Sequence, residues 1–192
     1  DGKLSLPLQT LLNEAAQGYG FNAVDQDVLP FIFDRLRVYL RDQNMRHDVL
    51  SAALADVDCD DLHRIADEAR SLAGFLRNAD GLGLMSGWRR VSSMLMAEEK
   101  KAKQAFPATT NTALFNSIEY NLYGALKKLP DRNAEFAMQL AELGQLRVPI
   151  DKFFDKIVVN DDDPAVRLNR LGLLAMIREK MLLVADFTKI EG

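Results

Sequence analysis

Apolar residues recur with helical spacing along the whole of this chain, whereas alternating polar and apolar runs flanked by turn residues are almost absent. Leu84, Trp88, Val91 and Leu95, for example, fall on one stripe of a helix. The pattern predicts an all-α fold, a helical bundle of about eight or nine helices. Trp88 is predicted as a core residue on this stripe, since an indole buries a large apolar area.

Prolines, glycines and capping residues predict where the helices begin and end. The helix after Pro164 is apolar almost all round between residues 168 and 177, which is typical of a helix at the centre of a bundle. Gly81 and Gly83 are predicted as a break between two helices, and residues 106–111 as a loop. The predicted helices cover residues 7–16, 25–43 with Pro30 bending the helix or setting its start, 46–55, 58–78 with Asp58 as N-cap, 84–104, 112–128 and 131–143, and two more open at Pro149 and Pro164.

The length of 192 residues is enough to bury a substantial core and to fold as one unit. We therefore predict a single helical domain over residues 1–192, with residues 1–20 as a candidate linking helix from a preceding domain. Because the chain starts at Asp1 rather than Met and no targeting run follows, we expect it to be a piece of a larger protein. No window approaches the roughly 18 unbroken apolar residues of a membrane span, so we expect a soluble protein.

The charge balance limits how the chain meets nucleic acid. A formal net charge of −4, from 24 basic and 28 acidic residues, argues against a protein that coats nucleic acid over a wholly basic surface. Any RNA contact must come from local patches. The single cysteine, Cys59, cannot form an internal disulfide, and this predicts a reducing, cytoplasmic location.

A first basic patch is predicted on the helix over residues 31–43. Arg37 and Arg41 share a face four residues apart, where like charges cost roughly 0.2–0.5 kcal/mol unless something offsets them. Asp34 neutralises part of this charge, and a phosphate would suit the pair better. The alternative is a solvated face with local ion pairs. The opposite face is predicted as core: Ile32, Phe33, Leu36, Tyr39 and Leu40.

A second basic patch is predicted on the helix over residues 84–104. Its strip is about 15–18 Å long at 1.5 Å per residue, which would reach two or three phosphates. Glu98 and Glu99 flank the strip, so an ordinary solvated face is again the alternative. The strip consists of Arg89, Arg90, Ser93, Lys100 and Lys101.

The supply of catalytic and metal-binding residues is small. Cys59, His47 and His63 are too few for a zinc site. The pair His47 and Asp48 resembles the dyad of HD-type phosphohydrolases, but no further histidine precedes it. The acidic run at residues 161–163 stands just before a helix start and is predicted as a cap. With no phosphate-binding glycine loop and no nucleophile beside a base, we predict neither catalytic nor metal-binding residues.

Three stretches together resemble a known family. They are residues 33–41 (FDRLRVYLR) with 46–49 (RHDV), residues 88–95 (WRRVSSML), and the region from the pair Phe153–Phe154 to residue 174. In this order they resemble the C-terminal part of the β subunit of bacterial glycyl-tRNA synthetase, including its anticodon-binding domain related to the DALR class. The middle stretch departs from the family pattern at Trp88 and Ser93, where the family usually has Asn, while Arg89 and Arg90 keep the charge.

The resemblance implies an α2β2 heterotetramer that attaches glycine to tRNA(Gly) using ATP and Mg²⁺. In that family the aminoacylation site lies on the α subunit, and the C-terminal domain of the β subunit holds the anticodon end of the tRNA. The chain is then expected to bind tRNA without catalysis or a cofactor of its own. The implied partners are tRNA(Gly) and the α subunit, with neither DNA nor a membrane.

Unpaired RNA is recognised by stacking bases on aromatic rings or arginine planes, while Lys and Arg contact phosphates. The adjacent rings of Phe153 and Phe154 are predicted as core rather than as a stacking surface. The main predicted tRNA contacts are therefore cationic, and a weaker set adds one neutral amide. They are Arg35, Arg37, Arg41, Arg89, Arg90, Lys100 and Lys101, with Arg46, Lys152, Lys156 and Asn160 as the weaker set.

Two alternatives remain. Arginyl-tRNA synthetase carries a related helical domain, but it usually closes on arginine and methionine, whereas this sequence closes on Ile190-Glu191-Gly192. The other alternative is a helical subunit-association module that never contacts RNA. Such a module predicts exposed apolar surface on a helix and indifference to the basic residues.

Overall fold

The computed structural model describes residues 7–20, 27–54, 61–130 and 133–191. Over these ranges nine α-helices and two 3₁₀ helices follow one another without a strand, which confirms the predicted all-α class. The predicted N-cap Asp58 and the cysteine Cys59 lie outside the described residues. The α-helices are α1 Leu8–Gly18, α2 Val28–Asp42, α3 His47–Ala53, α4 Leu62–Phe75, α5 Ala79–Ala102, α6 Ser117–Lys128, α7 Phe136–Gly144, α8 Arg147–Lys156 and α9 Pro164–Leu182, and the 3₁₀ helices are Thr112–Leu114 and Phe187–Lys189.

The chain divides into two compact units. The first comprises Asp1–Ala73 and Ala185–Gly192, and the second comprises Gly74–Val184. The single domain over residues 1–192 stays a prediction.

In the first unit, α3 is the best-buried element. Val49, Leu50 and Ala52 are buried, and α2 and the 3₁₀ helix Phe187–Lys189 both pack against α3. The backbone N–H of Asp186 donates to the carbonyl of Ala52 at 3.3 Å. The 3₁₀ helix Phe187–Lys189 therefore packs against a helix that begins much earlier in the chain, at His47.

In the second unit, α9 is central. Residues 171–177 are all buried, and α9 packs against both α5 and α6. Its start follows the predicted signals: Pro164 occupies the first turn, and the Asp163 carboxylate accepts from the N–H of Ala165 at 2.8 Å. The predictions of a central last helix and of a capping acidic run are confirmed.

The predicted break at Gly81 and Gly83 is wrong. α5 begins at Ala79 and runs through both glycines, with the Asn78 side chain accepting from the N–H of Gly81 at 2.7 Å. A Cβ added at Gly81 would overlap the carbonyl oxygen of Phe75, and one at Gly83 would overlap a side chain of α8. Glycine is needed here for close packing rather than for ending a helix.

The predicted core face of α2 is also wrong at one position. Leu40 is fully buried and Ile32, Phe33 and Leu36 are half-buried, but Tyr39 is 56% exposed. At about 100° per residue, Tyr39 lies at the edge of the apolar arc and turns to the outward side of the helix.

Candidate nucleic-acid interface

The outer side of α5 carries a row of exposed cations. Arg89 and Lys100 are both exposed, and neither has an acidic partner among the described residues. They lie about 16 Å apart along the helix at 1.5 Å per residue. The exposed positions between them on this side, Ser93, Met96 and Ala97, are uncharged. The row is therefore an acid-free surface long enough for more than one phosphate.

The two glutamates of α5 turn away from this row. Glu98 is buried and accepts from Lys101 at 2.6 Å and from the Arg167 guanidinium of α9. Glu99 binds the Arg178 guanidinium through two hydrogen bonds of 2.9 and 3.0 Å. Both ion pairs connect α5 to α9 in the second unit.

The protonation of these glutamates follows from their partners. The hydrogen bond from Lys101 lowers the pKa of Glu98, and this effect and that of Arg167 outweigh the opposing effect of burial. Arg178 likewise lowers the pKa of Glu99. Both carboxylates are ionised at neutral pH and are paired inside the unit. Of the predicted strip, Lys101 is bound to Glu98, while Arg89, Arg90 and Lys100 keep their charge at the surface.

Arg90 lies between this row and α8. Its guanidinium carbon is 4.5 Å from the centroid of the Phe154 ring, in a cation–π contact. Phe153 is fully buried and meets Phe154 edge to face at 5.5 Å. The predicted aromatic core pair thus divides: Phe153 is core, as predicted, whereas Phe154 is half-buried at the edge.

The predicted arginines of α2 lie in the first unit. Arg35 pairs with Asp34 at 3.2 Å, and the Arg37 guanidinium is 4.0 Å from the same carboxylate. Arg41 is exposed and has no acidic partner in the described part of the chain. Exposed pairs of this kind contribute about 0–1 kcal/mol and give way readily to a stronger anion. The Arg35 guanidinium also lies over the ring of Phe31, 5.5 Å from its centroid.

Arg46, one of the weaker predicted contacts, serves the fold. Its guanidinium donates to Asp48 and, at 2.6 Å, to the carbonyl of Glu191. Asp48 is almost completely buried and also accepts from the N–H groups of Val49 at 2.8 Å and Glu191 at 2.9 Å. Burial raises the pKa of Asp48, but these hydrogen bonds outweigh it and hold the pKa below its ordinary value. His47, 3.4 Å from the Glu191 carboxylate, completes a structural cluster rather than a metal dyad.

The remaining weaker contacts separate in the same way. Lys152 and Lys156 are exposed on α8. Asn160 donates to Glu98 at 3.4 Å and accepts from Arg167 at 3.1 Å, so it belongs to the ion-pair network of α9. The structure therefore brings Arg89, Arg90 and Lys100 together on α5, and it assigns Arg46, Lys101 and Asn160 to internal contacts.

The sequence patterns missed the arginines of α9 as structural residues. Arg170 donates to the buried Glu119 at 2.7 Å and to Asp161 at 2.6 Å, and Arg167 and Arg178 bind the glutamates of α5. The available signal was their position on a helix predicted to be central, since a buried helix must pair its charges.

Neither a metal centre nor a membrane span is found in the described residues. Within 7–20, 27–54, 61–130 and 133–191, no three side chains of His, Cys, Asp or Glu come together in a way that could hold a metal ion. Among the helices of the same ranges, none is long and apolar enough to cross a membrane.

Comparison with known proteins bears on the predicted resemblance. No protein-family model matches the chain. The chain is, however, 41% identical over 175 residues to the glycine–tRNA ligase β subunit of Phenylobacterium zucineum (strain HLK1), in an alignment that covers 88% of this chain and 26% of the relative. The chain thus spans about a quarter of the length of that relative. The resemblance to the glycyl-tRNA synthetase β subunit, predicted from three sequence stretches, is confirmed over most of this chain.

Proposed function

We propose that this chain is a tRNA-binding part of glycine–tRNA ligase, which holds the anticodon end of tRNA(Gly). The observation that supports this most directly is the exposed row on α5. In the described part of the chain, Arg89 and Lys100 present positive charge without an acidic partner, because Glu98 and Glu99 are paired with arginines of α9. Among the described residues, a polyanion approaching the row between Arg89 and Lys100 therefore meets only cations and neutral groups of α5.

The division of labour follows from the same proposal. The glycine and ATP chemistry, with its Mg²⁺, takes place on an α subunit in an α2β2 assembly in the cytoplasm. This chain supplies binding energy and position, since fixing a substrate in the right geometry contributes to rate without chemical groups. In an intact complex, removal of the row on α5 raises KM for tRNA more than it lowers kcat.

The test is a binding titration of tRNA(Gly) with the full-length protein at several salt concentrations. The affinity for RNA falls as the salt concentration rises. Each phosphate-contacting cation that is removed lowers the magnitude of the slope of log affinity against log salt by roughly 0.7–0.9. We expect Arg89→Ala with Lys100→Ala to weaken binding and to reduce the magnitude of the slope by about 1.4–1.8. The matched control is Arg77→Ala with Lys128→Ala, which removes two exposed cations of the second unit outside the row, one in the turn before α5 and one at the end of α6. Equal behaviour of the two variants, or absence of binding at low salt, contradicts the proposal.

A subunit-association role is the second candidate, favoured by apolar exposure on the same helix. Leu82 and Met96 are 60% and 66% exposed on the outer side of α5. An association module predicts that Leu82→Ser with Met96→Ser prevents co-purification with the α subunit and leaves tRNA affinity unchanged. The tRNA-binding proposal predicts instead that Arg89→Ala with Lys100→Ala weakens tRNA binding and leaves co-purification with the α subunit unchanged.

A further inference from the structure

The outward side of α2 carries two exposed aromatic rings with an arginine between them. Phe31 is 61% exposed and Tyr39 is 56% exposed, and Arg35 lies midway. The three residues are spaced four apart, so they form one line along the helix, with steps of about 6 Å. We call this line the aromatic stripe.

The aromatic stripe is not part of the core of the first unit. The buried side of α2 is formed by Leu40, with Ile32, Phe33 and Leu36 half-buried beside it. Large aromatic side chains usually gain stability by being buried, so two of them in water on one line need another explanation. The Arg35 guanidinium over the ring of Phe31 shows that this surface already accepts a flat, cationic group.

We infer that the aromatic stripe stacks unpaired bases of a bound RNA, an inference that rests on the proposed tRNA-binding function. Splayed bases of single-stranded loops stack on aromatic rings and on arginine planes, and the stripe offers both in alternation. Steps of about 6 Å let bases from successive nucleotides reach successive side chains. Stacking of this kind tolerates any base, so the stripe holds the loop without reading its sequence.

The charges on α2 favour RNA over a protein partner. The helix carries three arginines, Arg35, Arg37 and Arg41, and two aspartates, Asp34 and Asp42. A protein that covered the aromatic rings would also take the exposed pair of Arg35 and Asp34 out of water, which is costly. An RNA strand supplies phosphates for the arginines together with bases for the rings. The contacts of Asp34 with Arg35 and Arg37 are exposed and yield to a phosphate.

The test replaces both rings by leucine, Phe31→Leu with Tyr39→Leu, in the full-length protein. Leucine keeps the helix, since its helix propensity exceeds that of Phe and Tyr. The probes are a synthetic anticodon stem–loop of tRNA(Gly) with 2-aminopurine in the loop, and an RNA duplex of the same length without a loop. Because stacking contributes a factor of about five or more in affinity for each ring, we expect a loss of at least about 25-fold for the stem–loop.

Three further readouts distinguish stacking from a structural effect. The fluorescence change of 2-aminopurine on binding disappears in the double variant, its salt slope matches that of the unaltered protein, and its affinity for the duplex is unchanged. The matched control is Tyr120→Leu, since Tyr120 is 59% exposed on α6. It leaves affinity and fluorescence as they are.

Two outcomes overturn the inference. In one, the double variant keeps its affinity and fluorescence change. In the other, it binds RNA normally but no longer co-purifies with the α subunit, which makes the stripe a protein contact. Either result leaves the proposed function intact if Arg89→Ala with Lys100→Ala still weakens tRNA binding. Failure of both variants to change binding removes the proposed function as well.

Discussion

Asp48 shows how a single buried carboxylate can hold distant parts of a chain together. It accepts hydrogen bonds from Arg46, from the N–H of Val49 and from the N–H of Glu191, a residue 143 positions away. Its pKa in the folded chain is below its ordinary value. For a carboxylate with a lowered pKa, the stabilisation is complete above the unfolded pKa of about 3.9 and is lost as the pH falls through the folded pKa.

The substitution Asp48→Asn tests this role. It removes the charge and turns one acceptor into a donor that faces N–H groups, so we expect a loss of about 2 kcal/mol in the free energy of unfolding at pH 7. The difference from the unaltered protein narrows below about pH 4, where the native carboxylate also takes up a proton. Urea unfolding at a series of pH values measures both effects. The exposed Asp34→Asn is the control, with a change of less than about 0.5 kcal/mol. A constant difference across the pH series would contradict the argument.

The sequence could not reveal this cluster. His47 and Asp48 are adjacent in the chain, and the pair resembles a metal-binding dyad. In the structure, however, His47 contacts the Glu191 carboxylate and Asp48 accepts a hydrogen bond from the Glu191 N–H. Pairings over such a separation depend on the path of the whole chain, whereas local patterns report neighbours within a turn or two.

The helix α5 depends on Gly81, where the surrounding backbone leaves no room for a side chain. A Cβ at Gly81 would overlap the Phe75 carbonyl, whereas nothing lies within 4 Å of a Cβ at Gly124, in the middle of α6. We expect Gly81→Ala to destabilise the protein by about 2 kcal/mol, since backbone must shift. Gly124→Ala should stabilise it by about 0.5–1 kcal/mol through helix propensity. Urea unfolding compares the two variants, and stabilisation by both would show that Gly81 is not tightly packed.

Local patterns in the sequence predicted some features of these helices correctly and others wrongly. The stripe of Leu84, Trp88 and Val91 is fully buried or nearly so, and the helix start at Pro164 is where its signals indicated, because each is a local pattern. Gly81 was misplaced because a glycine that ends a helix and one that admits a neighbouring backbone have the same local signature. The difference lies in Phe75 and α8, which reach the site through tertiary packing.

Ion pairs from its arginines hold α9 to the neighbouring helices. Arg170 is largely buried and bridges Glu119 and Asp161. Arg170→Met keeps the apolar stem but leaves the Glu119 carboxylate buried without its cation, so we expect a loss of about 3 kcal/mol in unfolding free energy. Adding Glu119→Gln removes the stranded charge and recovers part of the loss. A double-mutant cycle by urea unfolding measures the coupling, and additive effects of the two substitutions would contradict it.

For the whole molecule, the acidic net charge and a basic binding surface are compatible because the acids are unevenly placed. The net charge is −4, yet Glu98, Glu99 and Glu119 are each bound by an arginine of α9 and do not face the row on α5. On α2, by contrast, both aspartates are exposed beside the three arginines, so the local excess of positive charge is small. A count of charged residues cannot show how the acidic groups are distributed, because it treats a paired internal carboxylate and an exposed one as equal.

Charge reversal at two exposed lysines separates a local surface from an effect of net charge. Lys100→Glu places an anion in the row on α5, while Lys128→Glu places one at the end of α6, which packs against α8 and α9. Both substitutions lower the net charge equally, so general electrostatic repulsion of RNA would weaken binding equally. The local row predicts a loss of about tenfold in tRNA affinity at low salt for Lys100→Glu and little change for Lys128→Glu. The difference shrinks as added salt screens the charges, over a Debye length of about 10 Å at 0.1 M. Fluorescence anisotropy with labelled tRNA(Gly) measures the affinity of both variants. Equal losses of affinity would show that the effect comes from net charge alone.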